Sequence, residues 1–209
     1  MRYRLVNKLA HNNGLTRKKR SGRPRSTQID SAVLEVTGTL LAERGYTATS
    51  IETIARRAGV GKAAIYRRWR SKEELVVELL SHVAAGVEPV PDLGDTRGEL
   101  LRLVGEAIDH LTRTPTGGII QGLASELSRN PKLSRLVRER VISLRHGEVG
   151  TVLERGIARG DLRADTDAEI AHELLIGPAY YHLLLGGKRL DGQFAVRIVD
   201  AFLRGARAD

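Results

Sequence analysis

Cysteine is absent from the 209-residue chain, which removes disulfides, thiolate nucleophiles and cysteine-based zinc sites at once. Aromatic residues are scarce, at 4% with a single tryptophan, so a core has to be assembled from Leu, Val, Ile and Ala. A hydrophobic content of 41% is sufficient for a sizeable one. Alternating β-branched runs are missing as well, and a Leu- and Ala-rich chain without them reads as all-α. No apolar run reaches the roughly 18 residues of a membrane span, and no secretion-signal apolar segment follows the basic N-terminus, so a cytoplasmic protein is expected. Acidic residues are missing from one place. Residues 1–25 hold nine Lys and Arg and no Asp or Glu, whereas 26–88 hold eight of each sign and 89–209 seventeen of each, so the net charge of +9 resides in the first 25 residues. A localised basic arm points to a polyanionic partner.

Residues 1–25 also contain Asn12, Asn13, Gly14, Ser21, Gly22 and Pro24 and lack apolar periodicity, so they read as a disordered arm. Within it, Gly22-Arg23-Pro24-Arg25 resembles the core of an AT-hook, which would lay Arg23 and Arg25 into a narrow A·T minor groove. The alternative is a solvated tail that adds non-specific phosphate attraction.

Beyond the arm, capping boxes divide the chain: Thr27 with Asp30, Thr49 with Glu52, Ser71 with Glu74, Thr96 with Glu99 and Thr166 with Glu169. Thr114-Pro115 and Asn130-Pro131 add starts with proline at the first helical position, and Asp191 adds a last cap. With one more helix starting near Gly61, nine helices are expected. Their apolar residues recur at helical spacing, as in Leu100, Val104, Ile108 and Leu111, or Leu133, Val137, Val141 and Leu144. The stretch from Gly86 to Asp95 carries two prolines and two internal or flanking glycines and breaks regular structure, which separates a domain at 26–85 from a larger one at 86–209.

The segment Thr49 to Leu75 reads as two short helices and a tight turn leading into a longer helix. Ala58-Gly59-Val60 makes the turn, with Val60 plugging the angle between the helices. Ile65 and Trp69, four apart, face inward and leave Lys62, Ala63, Tyr66 and Arg67 outward. Small Ala63 and Ala64 permit close approach to a groove floor, and Lys62 and Arg67 have the chemistry to reach guanine acceptors or phosphates. Thr49, Tyr66 and Lys72 are placed to meet phosphates and fix the register. The run Gly45-Tyr46-x-x-Thr49-Ser50-Ile51-x-x-Ile54-Ala55-x-x-Ala58-Gly59-Val60, continued by Ile65-Tyr66-x-x-Trp69-x-x-Lys72-Glu73-x-Leu75, resembles the DNA-binding domain of TetR-family transcriptional regulators across residues 26–85. Three positions depart from the pattern: Gly61 stands where serine is usual, Ala63 for glycine and Trp69 for phenylalanine.

The resemblance implies a homodimer that binds double-stranded DNA at a palindromic operator, usually as a repressor, and is released by a small-molecule effector. It implies pairing through the last two helices, about 167–186 and 191–207. In the first of these, Leu174, Leu175, Ile176, Ala179, Leu183, Leu184 and Leu185 nearly encircle the helix, as a segment packed on two sides requires. His110, Arg145, His146, Tyr180 and Tyr181 are the candidates for lining an effector pocket, against the alternative of ordinary surface and core roles. Gly117, Gly118, Gly122, Gly147, Gly150 and Gly156 serve either close packing or partial unwinding. Glu169-x-x-His172 has metal-ligand spacing but no second pair, so both read as solvated residues and no metal or other cofactor is expected. Neither a nucleophile elbow nor a glycine-rich phosphate loop supports catalysis. A helical enzyme or metal-binding protein with a basic tail, and a non-specific architectural DNA-binding protein, stand as the alternatives.

Overall fold

The computed structural model describes residues 25–86, 88–187 and 189–208. Among these, β-structure is confined to one isolated antiparallel bridge between Leu162 and Arg207. The helices are α1 (Arg25–Arg44), α2 (Ile51–Ala58), α3 (Lys62–Tyr66), α4 (Lys72–Ala85), α5 (Thr96–Arg113), α6 (Thr116–Arg129), α7 (Pro131–Val137), α8 (Ser143–Ala158), α9 (Ala168–Leu185) and α10 (Gly192–Ala206). A π-helical segment, Arg138–Ile142, joins α7 to α8 without a break, so the described residues form the nine continuous rods expected. The proposed arm falls on residues outside the described ones up to position 24, while Arg25 is the first residue of α1, ahead of the start expected at Thr27.

Cap chemistry sets the starts, though often one residue away from the expected one. Ser71 caps α4 as read, its Oγ accepting from the Glu74 N–H at 3.3 Å. Asn130 Oδ1 accepts from Leu133 N–H ahead of Pro131, and Asp191 Oδ1 from Phe194 N–H. Ser50 rather than Thr49 caps α2, Asp95 rather than Thr96 caps α5, and Asp167 rather than Thr166 caps α9. Two of the displaced threonines face the interior: Thr49 and Thr96 are buried, and Thr96 Oγ1 donates to Asp161 Oδ2 at 2.7 Å, whereas Thr166 Oγ1 donates to the Arg163 carbonyl in an exposed turn. Glu99, expected to complete the box, is instead fully buried and receives Arg155 at 3.2 Å and Arg159 at 3.0 Å.

One apolar expectation fails for a local reason. Leu133 and Val137 are buried, but Leu144 is 52% exposed. The π segment between them adds a residue to one turn and rotates everything after it, so that Val149, Val152 and Leu153 face inward in its place.

The side chains form two cores. One gathers α5, α8, α9 and α10, with Leu100, Leu153, Leu175 and Val199 at its centre. The other holds α1 to α4, and Ile119, Leu123, Leu133 and Val137 from α6 and α7 join it. The interior therefore does not divide where the Pro- and Gly-rich break divides the chain.

Glycine allows the closest approach between these parts. A Cβ on Gly122 would lie 2.2 Å from the Leu41 carbonyl oxygen of α1, and one on Gly117 would lie 2.2 Å from that of Leu111. Gly118 and Gly156 are also tightly packed, whereas Gly147 has nothing within 4 Å. Close packing explains the first four and not the last.

Candidate nucleic-acid interface and ligand pocket

α2 is short because its capping signals enclose only eight residues. Ser50 Oγ accepts from Thr53 N–H at the start, and Gly59, at φ +67°, reverses the chain at the end. Val60 N–H returns to the Ala55 carbonyl at 3.0 Å and its side chain packs on the core below. Gly61 stands at the N-cap of α3 and supplies no side-chain hydrogen bond, as the missing serine implies. Ile65 is fully buried and Trp69 7% exposed, so α3 is held from beneath.

The opposite side of α3 is free of core contacts. Lys62, Ala63, Tyr66 and Arg67 are exposed, as read from the sequence, and Ala64 is half-turned toward the support. Lys62 pairs with Glu52 at 3.1 Å, with both side chains more than half exposed. Such a pair contributes about 0–1 kcal/mol and gives way readily to a stronger anion. Arg57 is bound bidentately by Glu43, at 2.7 and 3.1 Å, which ties α2 to α1.

Two residues expected at phosphates have other occupations. Thr49 is fully buried and its Oγ1 donates to the Gly45 carbonyl at 2.8 Å, which removes it from any DNA-facing surface. Lys72 Nζ donates to the carbonyls of Tyr46 and Thr49, both at 2.9 Å, and lies 3.6 Å from the centre of the Tyr46 ring. Burial lowers its pKa, against the opposing pull of Glu126 and Glu73. Lys72 thus staples the α1–α2 loop to the first turn of α4, and Thr49 is part of what it holds.

Beside the core of α5, α8, α9 and α10 lies a cleft that opens to solvent. Its apolar wall includes Val83, Val90, Leu103, Val149 and Ile176. Of the five residues expected there, His110, Arg145 and Tyr180 line it. His146 and Tyr181 do not: His146 stacks edge-on against His172 at 4.6 Å, and Tyr181 is 59% exposed on the outer side of α9.

His172 is the residue that sequence reasoning missed, having been taken as solvated. It lines the cleft together with Ile176 and Tyr180, each four residues from the next on one face of α9, and that spacing was the available signal. Burial, with His146 and Arg145 nearby, lowers its pKa to about 4, so it is neutral at pH 7. His110 is shifted the same way by burial and by Arg145, and its Nδ1 is buried without a hydrogen-bond partner. Desolvation raises the pKa of Tyr180, which is 37% exposed at the edge of the cleft.

A short exposed helix carried on α1, α2 and α4, with a buried Ile and Trp beneath it, defines a helix-turn-helix DNA-binding protein. A family model described as "Bacterial regulatory proteins, tetR family" matches residues 33–79, and one described as "Tetracyclin repressor-like, C-terminal domain" matches residues 90–202. The chain belongs to the TetR family and is a DNA-binding transcriptional regulator. It is 30% identical over 187 residues to the uncharacterized HTH-type transcriptional regulator YdeS of Bacillus subtilis, covering 90% of this chain and 94% of that one. It is 29% identical over 174 residues to the DNA-binding transcriptional repressor TetR of Mycobacteroides abscessus, covering 83% and 90%. Among solved structures, the TetR family transcription regulator SCO0332 superposes with a TM-score of 0.69 at 28% identity, covering 85% of this chain and 98% of that one.

Proposed function

We propose that the protein is a homodimeric repressor that occupies a palindromic operator and is released when a small molecule enters the cleft between α4, α5, α8 and α9. The observation that carries this reading is the pairing of an exposed α3 with a separate, partly apolar cleft lined by Val83, near the far end of the helix that supports α3. Lys62, Ala63, Ala64 and Arg67 are assigned to base edges and Tyr66 to a phosphate. Lys72 acts indirectly, by fixing the loop before α2, and Arg23 and Arg25 are assigned to the adjacent minor groove.

The dimer face is assigned to α9 with α10. Ile170, Leu174, Tyr181 and Leu184 are exposed at 53, 55, 59 and 42%. With Gly177 they recur at alternating spacings of four and three, the pattern of a helix-pairing seam. An apolar row of this kind is the expected mark of a covered surface.

The test is selection of duplexes from a randomised pool by the full chain, followed by titration of the enriched duplex and a scrambled one at several salt concentrations. The expected result is an inverted repeat bound about 10³-fold or more tightly than the scramble. Lys62→Ala and Arg67→Ala should each change base preference, and Tyr66→Phe should weaken all duplexes alike. Recovery of no preferred sequence, with a steep salt slope alone, would leave the architectural reading standing instead.

A further inference from the structure

Reading the cleft as an effector site leaves open what chemistry it accepts, and its charge balance addresses that. Glu88, Glu106 and Glu148 line it against a single arginine, Arg145. Arg145 is already matched, with its Nη1 2.7 Å from Glu148 Oε2 and both side chains about a quarter exposed. Glu106 is met at 2.8 Å by Arg102, which is not among the lining residues. Even with Arg102 counted, three carboxylates face two guanidinium groups. His110 and His172 do not alter this, because burial keeps both imidazoles in the neutral form and leaves each with a lone pair. An anion entering here would have to break the Arg145–Glu148 pair and leave Glu148 beside it.

A cation meets less opposition: the Arg102–Glu106 pair it must loosen is the more exposed of the two, at 43 and 31% against 25 and 27%, and Glu88 keeps the lining net negative. Glu106 and His110 lie four apart on α5, on one helical face, and His110 Nδ1 is buried and unpartnered. Val90, Leu103, Val149 and Ile176 supply an apolar wall for an attached body. We propose that the cleft takes a small lipophilic cation, an ammonium-type head on an apolar or aromatic body, with the head beside Glu106 and His110. This assignment rests on the cleft being the effector site.

The experiment uses the full chain and two probes of similar shape and opposite charge, benzylammonium, whose N–H groups can donate to His110, and phenylmethanesulfonate, at matched ionic strength. Binding is followed by ligand-observed NMR and by the thermal midpoint up to about 10 mM, enough to fill even a millimolar site. The cation is expected to bind about tenfold or more tightly than the sulfonate. Glu106→Gln should weaken the cation several-fold. Glu148→Gln, which frees Arg145, should shift preference toward the sulfonate, a change that mere loss of packing would not produce. The proposal is overturned by equal or tighter sulfonate binding, by no cation binding at the highest concentration, or by a cation affinity that neither variant alters. Operator binding with and without the bound cation tests the effector-site reading separately: a cation that binds the cleft without weakening operator binding overturns that reading and not the charge preference, so failure of one is distinguishable from failure of the other.

Discussion

Two glycine substitutions with opposite expected signs test the account of how the two halves of the molecule are held. In Gly122→Ala the added Cβ would lie 2.2 Å from the Leu41 carbonyl oxygen and 3.1 Å from its carbon, in backbone that no rotamer change can move aside. Ordinary contact begins at 3.4 Å, so α6 and α1 must separate by more than 1 Å or bend locally. Overpacking of this kind costs about 1–3 kcal/mol. The hydrogen bond from Tyr46 N–H to the Gly122 carbonyl, 3.0 Å long, is placed at risk by the same movement, a further loss of about 1 kcal/mol. Against this stands the gain of about 0.5–1 kcal/mol from replacing a mid-helix glycine. The net expectation is destabilisation by about 1–3 kcal/mol, or a midpoint lowered by roughly 3–10 °C for a chain of this size. Gly147 is exposed within α8 with nothing within 4 Å, so Gly147→Ala has only the gain. Its midpoint should rise by roughly 1–4 °C. Calorimetry at equal protomer concentration reads both, since association shifts the midpoint by mass action. A Gly122→Ala protein melting at or above the parent, or a Gly147→Ala protein melting below it, would refute the reasoning.

Other expectations follow from single contacts. His172 has a folded pKa of about 4 against 6.5 for the free side chain. Between those values the unfolded chain takes up a proton that the folded one refuses, so stability rises with pH through this window and is lost as pH falls from about 6.5 to about 4. His172→Phe should flatten that part of the pH–midpoint curve, and an unchanged slope would count against the burial argument. Glu99→Gln removes the charge that receives Arg155 and Arg159, whose side chains are 27 and 23% exposed. Urea unfolding should show a loss of about 2–3 kcal/mol, below the figure for a wholly buried group because water reaches the two arginines. Leu174→Glu places a charge in the proposed helix-pairing seam. Light scattering should then report a monomer with weakened operator binding, and a persisting dimer would move the interface elsewhere.

How far the sequence could be read depended on whether neighbouring residues competed for one role. Rods and their inward faces were legible because apolar spacing is a property of each helix alone, as with Leu100, Val104 and Ile108, all buried. The exposed row on α3 followed in the same way from Ile65 and Trp69. Starts were ambiguous where two capping residues stood side by side, in Thr49-Ser50, Asp95-Thr96 and Thr166-Asp167. Tertiary packing made the choice at the first two: the threonine went inward, to Gly45 or Asp161, and its neighbour remained to cap. Leu144 was misread because no residue type marks a π turn. The cleft was legible only in part, since it gathers side chains from α4, α5, α6, α8 and α9, and each helix taken singly offers a polar residue there with an equally good surface role.

The way the two cores share helices bears on how occupancy of the cleft could reach the DNA-facing surface. α4 has Leu75 and Leu79 in the smaller core and Val83 in the wall of the cleft, while Lys72 in its first turn holds the loop that leads into α2. Lys72 and Val83 are eleven residues apart, about 16 Å along the helix at 1.5 Å per residue. Asn130 reinforces the Lys72 end: its Oδ1 caps α7, and its Nδ2 lies 3.4 Å from Glu73 of α4 and 3.3 Å from Glu126 of α6. A ligand bound as proposed and pressing on Val83 would therefore act on a lever whose other end is pinned to the reading domain by hydrogen bonds. A tilt of about 7° over that length displaces one end by about 2 Å, comparable to the margin between a formed and a lost hydrogen bond. In the proposed dimer, whose two α3 helices would have to meet half-sites about 34 Å apart, a displacement of that size on each side would spoil the fit without any helix unfolding. The tight packing of Gly117 and Gly122 fits that rigid transmission better than it fits unwinding of α6.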